Sequence, residues 1–196
     1  MGRPSVAAER RRHILAATIR CIASYGIGGT TLDRIAEEAG MARGHVRHFA
    51  GNRDEILVEA ARAFYFEDQE ELDQASASSS MFPPSVLTVA DALDYLFGDL
   101  AAPGTDNVVA LAFVEAARSL PSVHAILVEA YSGARTALGV FLADAYSDAA
   151  ASARSRVAYG VLALALGNVF MVDVGVPSDP DRDPRADAEL LIATLA

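Results

Sequence analysis

The sequence predicts an all-α protein: a small N-terminal three-helix domain of helix-turn-helix form (residues 1–51) followed by a larger helical domain (52–196). Three observations carry that prediction. Apolar residues recur at three- and four-residue spacing along most of the chain. No stretch alternates apolar and polar residues for long enough to make a strand. Glycine and proline fall between the periodic runs and punctuate them. With 196 residues, 52% of them apolar, the chain can bury one substantial core, or a small domain plus a medium one.

The net charge of -10 argues against a nucleic-acid partner until its distribution is considered. Residues 1–53 carry nine arginines against four acids, a balance of +5, whereas the remainder carries seven basic and 22 acidic residues, a balance of -15. That split describes a basic module suited to a polyanion joined to an acidic module that a polyanion repels. All 16 basic residues are arginine, so arginine position is informative and arginine abundance is not. The single cysteine, Cys21, cannot form an internal disulfide and reads as a small core residue. The first twelve residues are charged and unlike a signal peptide. The longest apolar stretch, Val157 to Val172, falls short of the ~20 residues a membrane span needs. A cytoplasmic protein with no membrane partner is therefore expected.

Taken in order, Gly2, Arg3 and Pro4 form a short arm. From Ser5 the spacing predicts a helix burying Ile14, Leu15, Ala17, Thr18, Cys21 and Ile22 and ending near Tyr25-Gly26, with His13 a surface residue beside the arginines. Ile27 to Gly29 make a glycine-rich turn that follows a helix and lacks lysine, so it is no phosphate loop. Thr30 or Thr31 caps a second helix, the spacing from Thr30 to Asp33 being that of a capping box, and Leu32, Ile35, Ala36 and Ala39 give that helix its buried face. Gly40 ends it in the left-handed conformation that allows a third helix to leave at a steep angle. The third helix, about Ala42 to Phe49, has little to bury beyond Val46 and Phe49, while Arg43, His45, Arg47 and His48 all carry donors. Such a helix is poor core and good groove filler. His45 and His48 lie three apart but have no third ligand nearby, so neither a metal nor a cofactor is expected.

Beyond the turn at Ala50 to Asn52, a long helix is expected to about Gln74, opening on Asp54 and Glu55, whose charges suit a helix N-terminus, and burying Ile56, Leu57, Ala60, Ala61, Phe64 and Leu72. Ser76 to Ser85 reads as a loop. Helices then follow at about 86–101, 105–119, 122–148, 151–174 and 186–195, punctuated by Pro103-Gly104, Pro121 and the proline-rich 177–184 segment. The chain has no lysine for a Schiff base, no serine in a nucleophile elbow and no histidine-carboxylate cluster at ligand spacing, so enzymatic activity is not expected.

GTTLDRIAEEAGMARGHVRHFAGNRDEIL resembles the DNA-binding domain of the tetracycline-repressor (TetR) family of transcriptional regulators. The resemblance covers about residues 5 to 60: a leading helix, the TTxxxIAxxAG block, the xRGxxxxF helix, then a basic residue and an acidic pair. It implies a homodimer on a palindromic double-stranded operator, acting as a repressor released by a small, mainly apolar effector. It further implies DNA contacts from Thr30, Thr31, Arg43, Gly44, His45, Arg47, His48 and Arg53, with Thr31 and Arg53 holding phosphates and Gly44 allowing close approach. Candidate effector-binding residues in the second half are Tyr95, Phe113, His124, Tyr131, Asn168 and Phe170, with Asn168 read as a buried amide in need of a partner. Val123, Ile126, Leu127, Ala130, Leu138, Phe141 and Leu142 are the dimer candidates, with Gly160 and Gly167 on the following helix sharing a face where helices could cross closely. Two positions depart from the usual pattern: Arg47 replaces a common tyrosine, and Phe49-Ala50 replaces an aromatic-phenylalanine pair. The rival reading is a helical small-molecule-binding or protein-interaction module that has lost specific DNA binding.

Overall fold

A computed structural model describes residues 6–70, 82–177 and 183–196. Every regular element among them is helical: α1 (Val6–Gly29), α2 (Leu32–Glu38), α3 (Arg43–Ala50), α4 (Arg53–Glu70), α5 (Val89–Asp94) running into a π-helical turn (Tyr95–Asp99), α6 (Thr105–Ala116), α7 (Pro121–Ala145), α8 (Ala151–Val174) and α9 (Pro184–Ala193). The expected arm at Arg3, the end of the long helix at 71–74 and most of the serine-rich loop lie outside the described residues. Residues 82–85, at the end of that loop, contain no helix.

The chain forms two compact units. The first comprises residues 1–67 and 108–128. Helices α1, α2 and α3 pack on one another there. Ile14, Ala17 and Ile22 of α1, Ile35 of α2, Val46 of α3, and Ile56, Leu57, Ala60 and Ala61 of α4 are all fully buried. Each large apolar side chain so removed from water contributes roughly 1.5–3 kcal/mol, which is how helices as short as α2 and α3 are held. The Phe113 ring packs against Phe64 at 5.8 Å and Tyr65 at 6.3 Å between centroids, completing the core of this unit.

Local chemistry sets each boundary. Gly26 takes φ 65°, ψ 179° and breaks the helical path of α1 where the sequence suggests, although regular turns resume to Gly29. Thr31 is the N-cap of α2, its hydroxyl accepting from the Arg34 amide at 3.3 Å. The capping box expected from Thr30 to Asp33 therefore does not form, because the cap lies one residue later and the third helical position is Arg34. Gly40, at φ 59°, closes α2: its amide reaches the Glu37 carbonyl at 3.0 Å and the Met41 amide reaches the Ala36 carbonyl at 2.9 Å. These paired bonds are a Schellman stop. Asn52 caps α4 by accepting from the amides of Asp54 and Glu55, while the Glu55 carboxylate accepts from the Asn52 amide at 2.7 Å. This reciprocal pair is a capping box.

The second unit comprises residues 68–107 and 129–196. Its core gathers Phe82, Leu93, Leu96, Leu138, Leu142, Val161, Leu162 and Ile192, among others. The stretch expected to be a single helix over 86–101 is split, with α5 opening on a Thr88–Asp91 capping box and continuing into the π turn. Helix α9 packs on α8. A Cβ added at Gly160 would lie 3.6 Å from the Leu191 side chain, whereas one at Gly167 would meet nothing within 4 Å. The close crossing foreseen at Gly160 is thus made within the chain, by α9. Helices α7 and α8, at 25 and 24 residues, are long and apolar enough by length and composition to cross a membrane, which corrects the expectation that no segment reaches that length. Here Leu138, Leu142, Val161, Leu162 and Ala165 from these two helices face a core shared with α5 and α9.

Candidate nucleic-acid interface

Helix α3 has two faces of different chemistry. Val46 and Ala50, one turn apart, are buried, and Val46 is fully so. Arg43, Gly44, His45, Arg47 and His48 are all exposed. On a helix of 3.6 residues per turn, Arg43 and Arg47 form one exposed ridge and Gly44 and His48 the next. The N-cap position is Ala42, which offers no side-chain acceptor, so the positive end of the helix dipole is uncapped beside Arg43. Arg43 donates to both oxygens of Asp33 at 3.2 Å. Both partners are more than half exposed, and such a pair is worth ~0–1 kcal/mol, little enough for a phosphate to displace it. Arg47 makes no ion pair among the described residues. The His48 ring lies edge-on to Phe49, 4.9 Å between centroids.

The scaffold behind α3 is pinned by contacts that sequence reasoning missed. His13 bonds the Ala39 carbonyl at 2.9 Å, so it clasps α1 to the end of α2 and is more than a surface neighbour of the arginines. Arg20 donates to Glu38 at 2.6 Å, Arg34 lies 4.4 Å from the Tyr25 ring centroid and donates to the Gly29 carbonyl at 2.7 Å, and Arg11 makes a two-pronged pair with Glu59. Each partner lies on another element, so spacing within one helix gives no signal for any of them. Burial pushes the Cys21 thiol pKa up, as expected of a core residue.

Two of the expected DNA contacts have partners within the protein. Thr30 is fully buried and its hydroxyl donates to the Gly26 carbonyl at 2.8 Å, so that side chain serves the α1–α2 turn and has no route to a phosphate. Arg53 turns inward: Nε donates to the Thr30 carbonyl at 2.6 Å, a terminal nitrogen donates to the Ile27 carbonyl, and the other pairs with Asp54 at 3.0 Å. Thr31 remains exposed, and a hydroxyl that accepts one bond still has a hydrogen to donate.

The six candidate effector residues are divided between the two units. Phe113 is fully buried among the rings of the first unit, and His124, in the same unit, is exposed. Tyr95, Tyr131, Asn168 and Phe170 belong to the second unit. Asn168 is half-buried, not the enclosed amide expected, and Phe170 is 50% exposed. A cleft of about 420 Å³ in the first unit, lined by residues including Asp54, Val58, Glu59, Leu120 and Pro121, contains none of the six.

A donor-bearing, acid-free helix packed on α1 and α2, with a glycine stop between the second and third helices, defines a helix-turn-helix DNA-binding module. Residues 14–60 match the family model for "Bacterial regulatory proteins, tetR family". The chain is 34% identical over 74 residues to the HTH-type transcriptional repressor AcnR of Corynebacterium jeikeium, covering 38% of this chain and 37% of the relative. It is 29% identical over 123 residues to the HTH-type transcriptional regulator BetI of Stenotrophomonas maltophilia, covering 63% and 62%. The match thus spans less than two thirds of either relative. The fold extends further: a transcriptional regulator from Rhodococcus sp. Rha1 superposes with a TM-score of 0.67 at 19% identity, over 94% of this chain and 95% of that one.

Proposed function

We propose that the chain is a ligand-responsive transcriptional regulator that reads an operator through α3, most simply as a repressor. The observation that carries this reading is the two-faced α3, with Val46 and Ala50 buried and every donor-bearing side chain exposed. In the major groove, Arg47 offers a two-pronged donor for guanine or a phosphate, Arg43 and Thr31 serve the backbone, and the histidines supply further edges. Gly44 lets the helix approach closely. The repressor names borne by AcnR and other relatives support the sign of regulation.

One helix of eight residues reads too few bases to select a site, so the active form is a homodimer on a palindromic operator. Apolar side chains left exposed on α7 and α8 of the second unit, Val140, Tyr159, Phe170 and Met171, support pairing through that unit. We keep the functional boundary at 51/52, with residues 52–196 taking the effector and the partner copy. The effector is small and mainly apolar, neutral or cationic to suit the acid-rich half. Of the candidate residues, Tyr95, Tyr131 and Asn168 are the half-buried ones in that unit. Effector and operator weaken each other reciprocally. The protein acts in the cytoplasm and is not an enzyme. Binding to the DNA upstream of its own gene, and to duplexes selected from a random pool, tests the reading. Salt-sensitive preference for one sequence is expected, and equal weak binding to every duplex would overturn it.

A further inference from the structure

We infer that Arg53 is a positioning residue, a strut that locks the start of α4 to the turn preceding α2 and so sets the angle of the reading helix. This inference rests on the DNA-binding function proposed above. Three of the five guanidinium N–H donors, one on each nitrogen, go to protein acceptors. The edge formed by Nε and the adjacent terminal nitrogen, which would grip a phosphate side-on, instead spans the carbonyls of Thr30 and Ile27, 23 and 26 residues earlier in the chain. Asp54 holds the remaining nitrogen at 3.0 Å, and the side chain is only 32% exposed.

The anchored turn leads directly into the reading unit. Thr30 is itself tied to Gly26 through its amide at 3.1 Å and its hydroxyl at 2.8 Å, and the next residue, Thr31, is the N-cap of α2. Between α3 and α4 the only covalent link is Gly51, at φ 88°, and Asn52. A glycine link of that kind is a natural hinge. The Arg53 fork bypasses it by joining α4 to the far side of the helix-turn-helix. Displacement of α4 would then carry α2 and α3 as one body, without swivelling at Gly51. Lysine keeps the charge but lacks the planar fork, so it cannot span both carbonyls in this way.

The test has two readouts. In the DNA-free protein, the Arg53 Nε–H resonance is expected to be visible near neutral pH with slowed solvent exchange; rapid exchange there would overturn the strut. Affinities of wild type, R53K and R53Q are then measured over a range of salt, on the duplex that wild type selects from a random pool and on random-sequence DNA. Both variants, checked by circular dichroism to be folded at the assay temperature, are expected to lose at least tenfold on the selected duplex. Random-DNA affinity should stay within twofold, and the salt slope should be unchanged. R53K binding like wild type would overturn the inference. So would a loss shared equally by both DNAs with the slope reduced by about 0.9 per subunit, the mark of a lost phosphate contact. A wild-type chain that enriches no sequence would overturn the DNA-reading function itself, and this role with it.

Discussion

The His13 side chain of α1 reaches the carbonyl of Ala39, the last residue before the Gly40 turn, at 2.9 Å. A carbonyl oxygen can only accept, so Nε2 carries the hydrogen. The bond ties the leading helix to the point where the chain turns from scaffold to reading helix. His13→Ala is expected to lower stability by about 1 kcal/mol, the usual net worth of such a bond, as measured by urea denaturation. An unchanged midpoint would show that the clasp contributes nothing.

Gly40 supplies the stop that the clasp supports. Its φ of 59° is in the left-handed region, which costs a residue with a Cβ roughly 1–2 kcal/mol. A Cβ would meet no neighbour within 4 Å, so the penalty for Gly40→Ala comes from the backbone alone. Gly40→Asn should recover part of it, because asparagine tolerates that conformation. Equal stabilities for the glycine, alanine and asparagine proteins in denaturant would contradict this reading of the turn.

Arg47 is exposed and free of ion pairs among the described residues, so its removal should leave folding intact. Arg47→Ala is expected to weaken binding to the preferred duplex at least tenfold, about 1.4 kcal/mol, with an unchanged melting temperature. Undiminished affinity would remove Arg47 from the interface.

The second unit offers a paired test. Gly160→Ala should be tolerated or mildly stabilising, since its Cβ would sit 3.6 Å from Leu191, an ordinary contact, and alanine favours helix by up to about 1 kcal/mol. Phe170→Asp, at a half-exposed apolar position, should instead shift the protein from dimer to monomer in sedimentation equilibrium at micromolar concentration. A wild-type monomer under those conditions would contradict the dimer.

Acid should open the start of α5. The Asp91 carboxyl is held below its ordinary value of 3.8, first by the bond to the Thr88 side chain and then by the Leu87 and Thr88 amides. A lowered folded-state pKa gives stability that is present above the unfolded value and is lost as pH falls through the folded one. The stability difference between wild type and Asp91→Asn should therefore be constant above about pH 5 and shrink below the unperturbed value. A difference independent of pH down to 2 would show that the box does not act through the charge.

What was legible in the sequence was local. The helix periods, the Gly26 break, the Gly40 turn, the acids opening α4 and the exposed donors of Arg43 to His48 all follow from residue type and spacing within a few positions. What escaped depends on distant partners. Sequence cannot show that the Gly26 carbonyl captures the Thr30 hydroxyl. Two of the three acceptors of Arg53 are backbone carbonyls, which carry no residue signature. Asn168 stood out as a polar residue in an apolar run, but which side of α8 faces the core was not decided by a helix apolar all round, and it lies half-exposed. The box at Asn52 and Glu55 was readable from its spacing, whereas the π turn after Asp94 has no such signature.

The most direct test of the central claim is the affinity of the purified wild-type chain for its selected duplex and for random DNA, titrated by fluorescence anisotropy from low to physiological salt. The expected result is nanomolar binding to the selected sequence, at least about a thousandfold tighter than to random DNA and weakening steeply as salt rises. Weak binding that is the same for both duplexes at every salt concentration would show that α3, for all its exposed donors, does not read DNA.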